Sequence, residues 1–382
     1  MKFGLIALIT FQSLLLTQLH SDEPRPRVRE FGLKVGVLEP GPLNAITDVP
    51  GVKVGHMTLI KGKNIRTGVT AIIPHEGNVF QEKVPASVYV ANGYGKLTGS
   101  TQIDELGYLE TPVILTNTLS VPTAAEALID YVLSFPGNEK VESVNPVVGE
   151  TNDGWLNDIR ARAVRKEDVL EAIKKASSGP VEEGSVGAGT GTTCFDFKGG
   201  TGTASRKLPE SRGGYTVGIL VQTNFGGVLQ IQGFPVSRWL KKSPETAKLQ
   251  TRSQDAGSCM IIVATDAPLD SRNLKRLAKR ALLGIPRTGG YYSNASGDYA
   301  VAFSTAAQLR YKAREKNLTQ KIEVLRNEAM SALFQAAAEA SEEAILNSLF
   351  KATGIEGKDG HKAEPLPLEQ LKPWLEKMKD EK

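Results

Sequence analysis

Short apolar runs rich in β-branched residues alternate along this chain with segments whose apolar residues recur at helical spacing, and glycines punctuate the junctions. Ala86–Val90, Val113–Leu115, Thr216–Gln222 and Met260–Ala264 read as strands. Thr123–Ser134, Lys166–Ala176 and Ser271–Leu283 read as helices, and a longer one is expected over Gln320–Phe350, where Ala329, Leu333, Ala337, Ala340, Ala344 and Leu346 lie close to a 3.6-residue period. With no internal repeat and no Gly/Ser linker, the interleaved periods imply one layered α/β domain. Glycine is in excess, 38 of 382 residues, or roughly 10% against an average near 7%. Without low-complexity repeats, that excess points to many tight turns and close backbone approaches.

The two ends read differently from the body. Met1-Lys2, an apolar run over Phe3–Leu16 and a polar exit through Ser21 have the layout of a signal peptide, assigned to residues 1–21. The run is short for a bilayer-spanning helix and Gln12 interrupts it, which disfavours the other reading, a membrane anchor. The expectation is an exported protein, periplasmic or secreted, that leaves the membrane once the leader is removed. A polar joint with Pro24 and Pro26 leads into a catalytic body over residues 22–354. The charged tail 355–382, with Pro365, Pro367 and Pro373, reads as a surface extension.

Composition removes several kinds of function. Lys and Arg number 46 against 42 Asp and Glu, and the formal net charge of +4 is spread along the chain, so no nucleic-acid partner is implied. Two cysteines, Cys194 and Cys259, supply neither a disulfide framework nor a thiolate metal cluster. Beyond His20 in the leader, only His56, His75 and His361 remain; no two are spaced i, i+4, and none suits a Ser-His-Asp triad. No metal or organic cofactor is expected. The run Gly184-Ser185-Val186-Gly187-Ala188-Gly189-Thr190-Gly191 lacks the Gly-Lys-Ser/Thr ending of a phosphate loop and reads as a structural or site-lining turn.

Another way to activate a hydroxyl is present. In Gln254-Asp255-Ala256-Gly257-Ser258-Cys259-Met260-Ile261 a Gly-Ser bond directly precedes a β-branched run, so Ser258 would open a buried strand. Cleavage between Gly257 and Ser258 would give Ser258 a free α-amine beside its hydroxyl. An α-amine has an ordinary pKa of about 7.7–8.0, so near neutrality it can take the hydroxyl proton without histidine. Gly257 suits self-cleavage, since glycine adopts strained angles and leaves its carbonyl open to attack. On spacing alone the signal is weak, since Gly-Ser pairs are common in turns, and an ordinary turn is the better reading. The other pair, Gly184-Ser185, runs into glycines instead of a strand. Cys259 should point to the opposite face of the strand from Ser258 and read as packing.

Several longer stretches carry a resemblance. They are Asn44-Ala45-Ile46-Thr47-Asp48-Val49-Pro50-Gly51-Val52-Lys53-Val54-Gly55-His56, Arg66-Thr67-Gly68-Val69-Thr70, Leu109-Glu110-Thr111-Pro112 through Thr118, and Gly149-Glu150-Thr151-Asn152-Asp153-Gly154-Trp155-Leu156-Asn157-Asp158. To these are added Gly257-Ser258, Arg287-Thr288-Gly289, Asn294-Ala295-Ser296-Gly297-Asp298 and Glu339–Phe350. Spanning roughly residues 30 to 350, they make the chain similar to the DmpA-like self-processing aminopeptidases, the L-aminopeptidase/D-esterase and β-peptidyl aminopeptidase group.

That resemblance implies a four-layered αββα sandwich like that of N-terminal-nucleophile hydrolases. It implies a precursor cut into an α chain (22–257) and a β chain (258–382) that stay together in a homo-oligomer. Ser258 would be the processing residue and nucleophile, with Ser296 and Asp298 positioning its α-amine. Family members often carry Glu at the second place, so Asp298 is one methylene shorter. Asn224 would donate to the oxyanion, a contribution on the order of 3–4 kcal/mol where measured in other enzymes. Trp155 stands where the best-known members have a Tyr; lacking a hydroxyl, it would wall the substrate pocket instead. Glu150 and Asp153 are candidates to recognise the substrate's amino group. The implied reaction removes the N-terminal residue from short peptides, amides or esters through an acyl-enzyme. An ornithine-acetyltransferase-like acyltransferase, which normally uses Thr as nucleophile, and a non-catalytic relative are the alternatives.

Overall fold

The computed structural model of the chain describes residues 24–240, 256–313 and 317–380. The leader, 1–21, lies outside the described residues. Two sheets face each other. One runs in the order β1 (Lys53–Lys61), β2 (Ile65–Ile73), β4 (Val113–Asn117), β5 (Val147–Thr151), with β4 and β5 parallel. The other has as its long strands β3 (Glu82–Gly93), β9 (Ala295–Ser304), β8 (Ala256–Thr265), β7 (Thr216–Asn224) and β6 (Gly200–Lys207), in that order. Its central strands β8 and β9 are parallel and their other neighbours antiparallel.

Three buried clusters account for the four layers. Between the sheets, Ile72, Val88, Leu115, Leu220, Met260, Ile262, Val301 and Phe303 pack together. Outside the first sheet, Val69, Ala71, Ile114 and Val148 meet helices α1 (Val121–Leu133) and α2 (Lys166–Lys174) through Ala124, Leu128, Val169 and Ala172. Outside the second, Ile219, Val221, Ile261, Val263 and Ala302 meet α3 (Ser271–Ala281) and α4 (Met330–Phe350). Strands buried on both faces read as unbroken apolar runs, which is why the β7 and β8 segments stand out in the sequence. The layers therefore run α, β, β, α.

Close approach explains part of the glycine excess. A Cβ on Gly202 would sit 2.0 Å from the Ala344 carbonyl oxygen, so β6 can meet α4 only through a glycine. Gly187–Gly189 form a buried turn, and a Cβ on Gly189 would lie 2.3 Å from the Thr201 backbone nitrogen. That glycine run is a structural turn; the Ser185 hydroxyl donates to the Thr353 carbonyl at 2.9 Å.

Two expectations are corrected here. Helix α4 begins at Met330 and not near Gln320, because Leu318 and Ile322 are exposed and make no packed stripe. The tail is no surface extension. Ile355–Glu356 and Lys362–Ala363 pair as a hairpin, and helix α5 (Leu368–Asp380) follows. Leu366, Leu371 and Trp374 are buried against the same layer as α4. Burying such side chains contributes about 1.5–3 kcal/mol each, enough to hold a segment whose charges face outward. The charge count hid these anchors.

Candidate active site

Ser258 lies near the start of β8, in the middle of the larger sheet, and is 3% exposed. Strand β8 starts two residues earlier, at Ala256, in the continuous chain. Its register sets the neighbourhood: Asn224 on β7 lies opposite Ser258, and on β9 Ser296, Gly297 and Asp298 lie opposite Gly257, Ser258 and Cys259. Four of the residues singled out in the sequence are thus on adjacent rungs of three strands.

The pleat then divides them. Met260, Ile262 and Ala264 belong to the layer between the sheets, whereas Cys259, Ile261 and Val263 belong to the helix layer. Continuing that phase, Ser258 and Asn224 face the inter-sheet layer, with Leu220 and Gln222. Along β9, Ala300 and Ala302 face the helices, so Asp298 and Ser296 are on the helix side with Cys259. The Ser258 backbone nitrogen sits between these two sets.

On the inter-sheet side the amide of Asn224 is fixed at both ends. Its Nδ2 donates to the Asn152 carbonyl at 3.0 Å and its Oδ1 accepts from the Thr193 N–H at 3.1 Å. One Nδ2 proton remains for another acceptor. Gln222, two residues earlier, donates to the Thr116 carbonyl, the Ala188 carbonyl and the Thr151 hydroxyl, tying the two sheets together. Sequence reading passed it over, although a lone amide in an apolar strand was a usable signal.

On the helix side, a Cβ added to Gly257 would lie 3.2 Å from the Ser296 hydroxyl oxygen and 3.3 Å from the Phe225 Cα, so the residue before Ser258 is tightly enclosed. Asp298 is 1% exposed, and neither of its carboxylate oxygens closes a hydrogen bond of normal geometry. Burial pushes its pKa up to about 6, partly opposed by the nearby Ser296 hydroxyl and the Cys259 N–H. Burial also pushes the Cys259 thiol well above its ordinary value. Cys194 and Cys259 are both free and buried.

The turn after β5 covers the site. Glu150, 3% exposed, accepts from the Lys96 N–H at 3.0 Å and from the Thr118 hydroxyl, and burial raises its pKa. Asp153 is raised to about 7, first by burial, with the Thr67 and Asn157 side chains opposing. It is 1% exposed, accepts from Asn157 Nδ2 at 2.9 Å and braces the turn from beneath. The two carboxylates singled out for the substrate's amine are thus both buried beside the site turn, and Asp153 Oδ2 closes no hydrogen bond of normal geometry among the described residues. Trp155, half-buried, stacks face to face on His361 with ring centroids 3.7 Å apart. His361 is thus held against the site turn and not in a solvated tail.

Lys198, missed in the sequence, is fully buried and donates to the Gly189 and Gly199 carbonyls at 2.8 and 2.7 Å. Burial lowers its pKa to about 7, with the charges of Cys194 and Asp153 opposing. His56 bonds the Thr70 hydroxyl and has its pKa lowered to about 4 by burial; His75 faces the Glu76 and Glu82 carbonyls. Neither histidine has Ser258 among its hydrogen-bond partners. Among the described residues, no group of three or more His, Cys, Asp or Glu is placed to hold a metal ion.

Comparison with known proteins agrees with this architecture. The profile of the family described as Peptidase family S58 matches residues 44–363. A β-peptidyl aminopeptidase, BapA, from Sphingosinicella microcystinivorans is 42% identical over 373 residues, 92% of each chain. The PH0078 protein from Pyrococcus horikoshii OT3 superposes with a TM-score of 0.84 at 50% identity, over 92% of this chain and 99% of its own. The L-aminopeptidase D-Ala-esterase/amidase from Ochrobactrum anthropi, described as a prototype serine aminopeptidase and a variant of the Ntn hydrolase fold, gives a TM-score of 0.85 at 37% identity, over 93% and 99%.

Proposed function

We propose, because this chain belongs to peptidase family S58 and is a hydrolase of the aminopeptidase kind with an N-terminal-nucleophile fold, that it matures by cutting itself between Gly257 and Ser258 and then uses Ser258 as the nucleophile. In maturation the Ser258 hydroxyl attacks the Gly257 carbonyl. The new C–O bond forms as the peptide C–N bond breaks, the nitrogen takes up a proton, and water hydrolyses the ester. The products are an α chain ending at Gly257 and a β chain starting at Ser258.

The freed α-amine emerges beside Ser296 and Asp298. The observation that carries the reading is Asp298: a buried carboxylate near the Ser296 hydroxyl and the Cys259 N–H, whose oxygens close no hydrogen bond of normal geometry among the described residues, one rung from the bond to be cut. Such a group is costly in the intact chain and is relieved by a cation formed next to it. The amine then takes the proton of the Ser258 hydroxyl as it attacks the first carbonyl of a substrate. The remaining Asn224 Nδ2 proton, with backbone N–H groups, receives the oxyanion. The amine returns the proton to the leaving group, and water releases the acyl-enzyme.

Glu150 and Asp153, the buried carboxylates beside the site turn, receive the substrate's ammonium, and Trp155 walls the pocket. By the name of the BapA relative, substrates include short peptides with an N-terminal β-amino residue. The leader directs export, and the cut chains assemble as a homo-oligomer. A denaturing gel with N-terminal sequencing tests the core of this. Mature protein should give two fragments, the smaller starting Ser-Cys-Met-Ile, and Ser258→Ala should give one inactive band. An intact wild-type band with full activity would overturn it.

A further inference from the structure

The C-terminal hairpin is held against the turn that carries the pocket wall. Its strands Ile355–Glu356 and Lys362–Ala363 pair, and the Gly357 N–H closes it by donating to the His361 carbonyl at 2.8 Å. The Lys358 N–H donates to the Leu156 carbonyl at 2.8 Å, and a Cβ on Gly357 would lie 2.0 Å from that oxygen. Arg66 Nε donates to the Glu356 carbonyl at 2.7 Å, and the Lys198 N–H donates to the Glu364 carbonyl at 2.7 Å. Leu156 and Ala363 are buried against each other. Beyond the hairpin, Leu366 and Leu371 anchor the chain in the helix layer.

His361 is what this hairpin presents to the site turn. Its imidazole lies 3.7 Å from the Trp155 ring with the planes 3° apart, and its Nδ1–H donates to the Trp155 carbonyl at 2.9 Å. The half-buried Trp155 packs beside Leu156, Ile355 and Ala363, and the stack adds a contact to the face of its ring. Here the imidazole lies flat on one face of the indole, and that ring is itself fixed by a bond to the same residue. Three residues before Trp155, the Asn152 carbonyl receives the Asn224 amide, so the stack and the oxyanion donor share one short turn.

We infer that His361 is a positioning residue for substrate selection: the C-terminal hairpin sets the Trp155 indole in one orientation and so fixes the shape of the pocket for the substrate's N-terminal side chain. The inference rests on the proposed placement of Trp155 in the pocket wall. Its consequence is that part of the specificity is carried by the end of the chain, far in sequence from the nucleophile. The imidazole contributes shape, and the aromatic stack matters more than the charge or the hydrogen bond.

The test uses full-length, self-processed protein and two peptide series, one with a small and one with a bulky N-terminal side chain. His361→Ala should raise KM for the bulky series by about tenfold, the size of a pocket-shape effect, with kcat changed less than twofold. His361→Phe, which keeps a stacking ring, should restore the wild-type KM, whereas His361→Asn should not. Self-cleavage on a gel and the melting temperature of each variant separate misfolding from misplacement. Equal losses for both series, or an unchanged KM in His361→Ala while Trp155→Ala raises it, would overturn the positioning role and leave the pocket intact. An unchanged KM in Trp155→Ala would overturn the pocket placement, and the role of His361 with it.

Discussion

Arg206 and Asp298 are both buried on the helix side of the larger sheet, yet they are built in opposite ways. Arg206 donates to Glu343 Oε2 and the Val35 carbonyl at 2.7 Å, to the Ser205 carbonyl at 2.8 Å and to Glu339 Oε2 at 3.3 Å. Glu343 is met in turn by Arg29 and Asn44, and Glu339 by the Val37 and Leu38 N–H groups. Burial pushes Glu339 up, but those N–H groups, Gln335 and Arg206 outweigh it and leave its pKa below the ordinary value. At Asp298 burial wins. A buried charge with its bonds satisfied is a structural joint; one whose oxygens close no normal hydrogen bond among the described residues leaves room for a further partner.

The largest expected effect breaks the first region. Arg206→Met leaves Glu343 and Glu339 short of a cation in the interior, and breaking such a grouping costs about 3–5 kcal/mol. Urea unfolding should show that loss, while kcat of the folded fraction stays at the wild-type level; a stability change below about 1 kcal/mol would mean that the ion group is not a joint. The matching change in the second region, Asp298→Asn, keeps the shape and removes the charge. Hydrolysis should fall by about 100-fold, the lower end of what proton-transfer machinery supplies, with stability equal or higher. Wild-type rates in that variant would erase the distinction between the two regions.

The layered fold was legible because its central strands are buried on both faces, so Thr216–Gln222 and Met260–Ala264 announce themselves without a partner in view. The sheet order was not, since parallel pairing of β8 with β9 depends on contacts across more than thirty residues. At the site, Ser258 and Asn224 stood out by motif, but that a pleat sets them on the other side of β8 from Ser296 and Asp298 needed the register. Lys198 and His361 went unseen for one reason: each looks like a solvated charged residue until the chain folds over it. The tail misled in the same way, because two leucines and a tryptophan among many charges carry little signal.

Acidity sharpens the comparison further. In the Ser258→Ala chain, which keeps its peptide bond, Asp298 titrates at about 6 when folded and at about 4 when unfolded. Between those values the folded state binds more protons, so stability falls as pH rises through the window. The difference between Ser258→Ala and Ser258→Ala/Asp298→Asn in urea titrations should be about 2 kcal/mol between pH 4 and 7. Identical slopes would remove Asp298 from the argument. In cut wild-type protein the new ammonium should pull the Asp298 pKa down and flatten that slope. The smallest effect concerns the neighbour of the nucleophile. Cys259 is fully buried on the helix side, and burial keeps its thiol protonated. Cys259→Ala should cost about 1 kcal/mol, as a small buried truncation does, and leave both fragments on the gel. Loss of cleavage in that variant would show that the helix side of β8 supplies a reacting sulfur as well as a buried carboxylate.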